Sequence, residues 1–244
     1  MKVKYVAILS SVILSILAAP SVAQAVLLGP SPYQSFSDSP FNAGSFSYFY
    51  LEDFEDGALN TPGVIASTGF VLHPAPLTDS VDGDDGAIDG FGFGGHSWYS
   101  GGALSSITFT FSSAVLGGLP THAGIVWTDV GFSASGIGFD PFTFEAFDAA
   151  NISLGTVGPF IFGDGPAAGG TAEDRFFGVT YAGGISSIRI TAGSSADWEV
   201  DHLQYGAQKY GAQRTSPVPE PATWLLLGLG ALGLFSRRCA FASK

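Results

Sequence analysis

The chain is 244 residues long, 46% hydrophobic and only 12% charged, with 34 glycines, one cysteine and a formal charge of −12. It is too acidic for a nucleic-acid binder and, at 14% aromatic, too rich in rings for a disordered chain. So much hydropathy with so little charge points to apolar segments at the ends, and these are read first.

Residues 1–25 read as a signal peptide. Lys2 and Lys4 supply the positive start, Val6 to Ala19 the apolar run, and Ala23-Gln24-Ala25 the small-residue cut site, with Ser21-Val22-Ala23 fitting almost as well. The run falls short of the ~20 residues of a span, so cleavage after Ala25 is expected in preference to an uncleaved anchor. Residues 26–40, which include Pro30 and Pro40, read as a disordered leader. From 26 to 216 the chain carries four basic against twenty acidic residues, a formal charge of −16. That excludes nucleic acid and anionic membrane as partners and favours cations, neutral sugars or solvent. The same stretch has no cysteine, so disulfides cannot stabilise it. Its 191 residues are enough for one ordinary core.

Residues 41–206 carry almost only strand signals. Ile107 to Phe111, Thr143 to Phe147 and Ser187 to Thr191 alternate with period two. Further strands are expected at Ser45 to Leu51, Ile125 to Val130, Phe160 to Phe162, Phe176 to Thr180 and Trp198 to Tyr205. Glycine-rich turns separate them, at Gly92 to Gly95, Gly101-Gly102, Gly117-Gly118, Gly163 to Gly170 and Gly183-Gly184. Short strands at modest spacing, with no helical periodicity between the terminal segments, predict an all-β domain. The expected architecture is an antiparallel β-sandwich, jelly-roll-like.

Acidic residues open and close this domain, in Glu52-Asp53-Phe54-Glu55-Asp56-Gly57 and in Trp198-Glu199-Val200-Asp201-His202-Leu203-Gln204-Tyr205. First and last strands are commonly neighbours in a jelly roll, and carboxylates brought together repel unless a cation neutralises them. Calcium, taking six to eight oxygens at loose geometry, suits such a place. The opening Phe54-Glu55-Asp56-Gly57 and the closing Asp201-His202-Leu203 resemble galactose-binding-like jelly rolls and related carbohydrate-binding modules. That resemblance implies a structural calcium held by Glu55 and Asp201, with Asp53 and Asp56 in reserve. His202 stands where such modules more often have a second acid. The alternative is a pair of solvated acidic strand ends.

Asp79 to Gly90 is denser in acid still, yet no register places acids, turn glycine and terminal Glu as an EF-hand requires. A looser calcium loop using Asp82 and Asp84, or a flexible acidic surface loop, remains. His96, Trp98 and Tyr99 follow directly. Aromatic faces beside polar groups suit a sugar-binding surface, and burial of Trp98 in the core is the competing reading. Acids are too plentiful to single out a hydrolytic pair. No G-x-S-x-G occurs, and His73, His96, His122 and His202 lack zinc-site spacing. Asn151-Ile152-Ser153 fits a glycosylation acceptor and is given little weight.

Residues 207–216 read as a linker. Beyond it come Pro219-Glu220-Pro221, an apolar run from Thr223 to Phe235, and Arg237-Arg238. Prolines keep the first part extended. The run of 13 residues spans about 20 Å as a helix, a marginal anchor, and the arginines favour the cytoplasmic side. Within the segment 217–244, residues 217–238 resemble the PEP-CTERM sorting signal of Gram-negative bacteria, with Pro219, Glu220, Pro221, Arg237 and Arg238 at the matching positions. The resemblance implies a single transmembrane helix, an exosortase as processing partner, transient anchoring in the inner membrane and release to the cell surface or beyond. It further implies a tie to extracellular polysaccharide and biofilm, and the chain is expected to be a non-catalytic matrix protein. The alternative is a carbohydrate-active hydrolase working through an Asp/Glu pair.

Overall fold

Period-two alternation in the sequence becomes strand throughout. The computed structural model describes residues 23–72, 78–83, 94–101, 106–130, 140–162, 174–194 and 198–209, all within a unit that ends at Lys209. The strands are β1 (Val26–Pro32), β2 (Phe46–Glu52), β3 (Val64–Ala66), β4 (Phe70–Leu72), β5 (Ser97–Tyr99), β6 (Ser106–Phe111), β7 (His122–Val130), β8 (Phe142–Asp148), β9 (Ser153–Phe160), β10 (Arg175–Thr180), β11 (Ile185–Ala192) and β12 (Trp198–Gln208). Helix among the described residues is limited to the 3-10 turns Phe36–Asp38 and Val81–Gly83 and the single α-turn Ser113–Leu116. None of it is long and apolar enough to cross a membrane. Residues 1–22 of the signal peptide expected at 1–25, and the C-terminal segment from residue 210 with its expected transmembrane helix, lie outside the described residues.

The strands form two antiparallel sheets. One runs β1-β10-β7-β12-β5-β4, with β2 also paired to β12, and the other runs β3-β6-β11-β8-β9. The architecture is a β-sandwich. Its interior comes from alternate residues of both sheets, Ile107, Phe109 and Phe111 of β6 and Phe142, Phe144 and Ala146 of β8 facing Ala123, Ile125 and Trp127 of β7 and Trp198 and Val200 of β12. Trp127 lies at the centre, stacked on Phe142 at 3.7 Å between ring centroids and on Trp198 at 5.0 Å. The large apolar area that these rings bury stabilises a domain that has no disulfide.

The outer face of the larger sheet holds a second apolar cluster. Val126 of β7 and Phe176 of β10 point away from the interior and are covered by Tyr33, Phe41 and Val81. Residues 26–40 are therefore not a disordered leader. Val26 to Leu28 and Ser31-Pro32 pair with β10, Tyr33 is 1% exposed, and Phe41, 3% exposed, meets Phe176 edge to face at 5.4 Å. The prolines misled because proline is tolerated in an edge strand, and β1 is an edge strand. A break in the register lies at Gly29, whose φ of +90° suits glycine and where a Cβ would stand 2.2 Å from the Phe176 carbonyl oxygen.

Other boundaries also differ from the sequence expectation. β3, β4 and β5, three residues each, are too short for alternation to register, and β9 begins at the Ser153 read as part of a glycosylation pattern. The domain runs past residue 206, since β12 continues to Gln208 and the Lys209 amide donates to the Ser45 carbonyl at 2.8 Å.

Truncating Phe41 removes a ring that closes the outer cluster. Phe41→Ala is expected to cost about 3 kcal/mol in urea-induced unfolding. An unchanged midpoint would mean that the segment before β2 contributes no packing.

Candidate functional site

β12 shares its ladders with β7 on one edge and with β5 and β2 on the other. The opening and closing acidic segments are thus neighbours, β2 pairing antiparallel with β12 from Leu203↔Glu52 onward. Strand alternation sends Trp198 and Val200 into the core and Glu199 and Asp201 to the outer face, where both are buried. Residues 78–83 form a strap over them. Glu199 accepts the Asp79 amide at 3.0 Å and the Ser97 hydroxyl, and Asp201 accepts the Val81 amide and the Ser80 hydroxyl, each at 3.0 Å. Two carboxylates two residues apart on the strand thus hold two amides two residues apart on the strap. Thr128 of β7 adds a hydrogen bond to the Asp79 carbonyl at 3.0 Å.

At His202 the alternation breaks. Asp201 pairs with Val126 but Gln204 with Gly124, so β12 carries one extra residue there. His202 absorbs it with a left-handed φ of 43°, a β-bulge that keeps its ring on the outer face beside Asp201 and returns Leu203 to the core. Its imidazole joins a buried relay. Tyr33 Oη lies 2.9 Å from His202 Nδ1, Gln204 Nε2 donates to Tyr33 Oη at 3.0 Å, and the Ser39 hydroxyl donates to Gln204 Oε1. At the other end His202 Nε2 lies 3.0 Å from Asp82 Oδ2. One proton arrangement satisfies every member, with Ser39 giving to Gln204, Gln204 to Tyr33, Tyr33 to Nδ1, and Nε2–H to Asp82.

Glu55, the other acid expected to hold a cation, stands next to this set. Its carboxylate is 3.4 Å from the Ser80 hydroxyl, which has one proton to give and gives it to the nearer Asp201. Glu55 also accepts the His96 amide and meets His96 Nδ1 at 3.1 Å. The approach depends on Gly95, where φ is +70° and a Cβ would fall 2.4 Å from Ser80 Oγ and 3.0 Å from Glu55 Oε1. Asp53 accepts the Glu55 amide at 3.2 Å, and Asp56 accepts Ala58 N at 3.0 Å and the Asn60 side chain, so both shape their own loop. Asp84 lies outside the described residues.

Among the described residues, Glu55, Asp53 and Asp56 are absent from the group of carboxylate and imidazole side chains that converges around Asp201. That group, among the described residues, is Asp82, Asp201 and His202, whose ligand atoms lie within 4.8 Å of one another. The sequence hid His202 because strict alternation puts it on the opposite face from Asp201.

The expected sugar surface is also rearranged. Trp98 is 9% exposed, packs on Phe54 and Phe109 and donates its indole N–H to the Thr68 carbonyl at 3.0 Å. It is a core residue, since β5 alternation turns it inward. His96 meets Glu55 through its amide and its ring. Tyr99 instead meets Phe70 of β4 edge to face at 5.5 Å, and Phe70 is 51% exposed.

Residues 217–238 match the family model described as PEP-CTERM protein-sorting motif. The motif indicates an exosortase-targeted, secreted protein. No curated protein and no solved structure matches the chain.

Burial raises the Asp201 carboxyl from 3.8 to about 7, with the Asp82 charge adding to the shift and His202 and Ser80 opposing it. Burial also opposes charging of His202, but the Asp82 hydrogen bond and the charges of Asp201, Asp82 and Asp53 outweigh it and raise its pKa. Both folded-state values lie above the unfolded ones, so the folded chain holds protons that the unfolded chain has released. The Asp201 contribution to stability is complete below about pH 4 and is lost as pH rises to about 7, and that of His202 is lost above 6.5. With a chelator present, the melting temperature should fall from pH 4 to pH 8, and Asp201→Asn should flatten the part below pH 7. A difference between wild type and variant that stays constant with pH contradicts this.

Proposed function

We propose that this chain is an exported, non-catalytic β-sandwich, held in the inner membrane by its C-terminal segment until an exosortase processes it, and then delivered to the cell surface or extracellular matrix. The observation that carries the reading is the sorting motif at residues 217–238, C-terminal to a folded domain that ends near Lys209. Pro219-Glu220-Pro221 is the recognition element, and Arg237-Arg238 holds the end of the apolar run at the cytoplasmic side.

Extracellular polysaccharide is the proposed contact of the delivered domain. Support comes from the Phe70–Tyr99 pair on the short strands β4 and β5, a half-exposed aromatic surface of the kind on which pyranose rings stack. The hydrolase alternative has less support. The Ser80 side chain stands between the Glu55 and Asp201 carboxylates, where a scissile oxygen would have to enter, and Asp201 is buried.

Co-expressed with an exosortase, the full chain should lose its C-terminal segment, and mass spectrometry should place the new terminus near Pro219. Changing Pro219-Glu220-Pro221 to three alanines should leave it uncut and in the membrane fraction. Equal processing of both chains overturns the sorting role. Separately, retention on extracellular polysaccharide should fall about tenfold when Phe70 and Tyr99 are both replaced by alanine, a loss matched to about 1.4 kcal/mol of stacking. Retention that survives the double substitution moves the contact elsewhere on the domain.

A further inference from the structure

We propose that Asp82, Asp201 and His202 form a binding site for one divalent cation of borderline character, with zinc as the reference ion. The inference is independent of the sorting signal.

The donor set selects the ion class. One imidazole nitrogen with two carboxylates suits zinc and its neighbours, whereas calcium takes oxygens alone and more of them. Three protein ligands leave a tetrahedral ion one position for water. At metal–ligand distances of about 2.0–2.1 Å, tetrahedral donors lie roughly 3.3 Å apart. His202 Nε2 and Asp82 Oδ2 are already 3.0 Å apart, and all three ligand atoms lie within 4.8 Å. The remaining adjustment falls to Asp82, whose side chain is 41% exposed on a short 3-10 turn, while Asp201 and His202 are held by the strand.

Charge points the same way. The carboxylates of Asp82 and Asp201 both converge on one imidazole. Among the described residues no lysine or arginine pairs with Asp82 or Asp201. A cation there neutralises carboxylates that the fold brings together and, for Asp201, buries completely.

Behind His202 stands the support that metal-bound histidines use, a hydrogen bond on the other ring nitrogen. A metal on Nε2 places the ring proton on Nδ1, which then donates to Tyr33. The Tyr33 hydroxyl turns to Gln204 Oε1 as that amide rotates, and Gln204 Nε2 donates to Ser39. Nδ1 exchanges an accepted bond for a donated one, Tyr33 and Gln204 each keep one of either kind, and Ser39 exchanges its donated bond for an accepted one, so the relay reverses without gaining or losing a proton. The ion would tie together three separate parts of the chain, the segment carrying Tyr33, the strap carrying Asp82, and β12.

The test uses the full chain in detergent, stripped with a chelator and titrated with zinc by calorimetry. One equivalent should bind and raise the melting temperature, while calcium at the same concentration leaves it unchanged. Asp82→Asn and His202→Gln should weaken zinc binding at least about tenfold, and Tyr33→Phe, acting through the ring orientation, by about tenfold. Asp82 is exposed enough that its variant keeps the fold if the buried His202 variant does not. Absence of zinc binding, undiminished affinity in Asp82→Asn, or stabilisation by calcium in place of zinc overturns the site.

Discussion

The placement of β12 constrains everything built around it. It is the longest strand, it joins three others, and its two faces must satisfy opposite requirements. Toward the interior it supplies Trp198, Val200, Leu203 and Tyr205 to a close-packed core. Toward the outside it carries Glu199, Asp201, His202 and Gln204, all buried and all polar. A buried polar group without a partner costs about 1–3 kcal/mol, so the outer face demands a cover made of hydrogen-bond donors. The strap at 78–83 and the segment from Tyr33 to Ser39 are that cover, and their backbone paths follow from where Asp201, Glu199 and Gln204 need donors.

Aromatic packing supplies stability on both sides of the same sheet. Trp127 stacked between Phe142 and Trp198 joins the two sheets from within, and Phe41 and Tyr33 on Phe176 close the outside. Tyr33 serves both roles. Its ring packs on Phe176 and meets His202 edge-on at 5.5 Å, while its hydroxyl sits in the relay. Such amphipathic rings let one residue seal a hydrophobic cluster and orient a polar one.

Much of the sandwich was legible because alternation survives in long strands. β6, β8 and β11 follow the period-two pattern of Ile107 to Phe111, Thr143 to Phe147 and Ser187 to Thr191, and β2 and β10 lie within a residue or two of their expected limits. The illegible parts each have a physical cause. β1 was concealed by prolines that an edge strand tolerates, and Trp98 was left between a surface and a core reading because a three-residue strand has too few positions to declare its inward face. The association of Glu55 with Asp201 followed from pairing of opening and closing strands, but Ser80 between them belongs to a distant loop that no local pattern connects to β12. His202 was the least legible, because a bulge reverses the face that alternation assigns and nothing in Asp201-His202-Leu203 announces it.

The outer face also contains its own comparison between two kinds of cover. Over Val126 and Phe176 the cover is apolar, with Phe41, Val81 and the Tyr33 ring packed on them. Over Asp201 and His202, reached from the same segments, it is polar, and it is the costlier solution, since replacing buried charged networks by well-packed apolar groups is often neutral or stabilising. The bulge adds to that cost by holding a non-glycine residue at positive φ, a conformation that persists only where surrounding contacts impose it. An apolar cover was available to this sheet, as the neighbouring cluster demonstrates, so hydrophobic burial alone does not explain an ionisable set at the bulge. Coordination of a cation would explain it, because that gives the carboxylates and the imidazole a shared partner that an apolar pair could not.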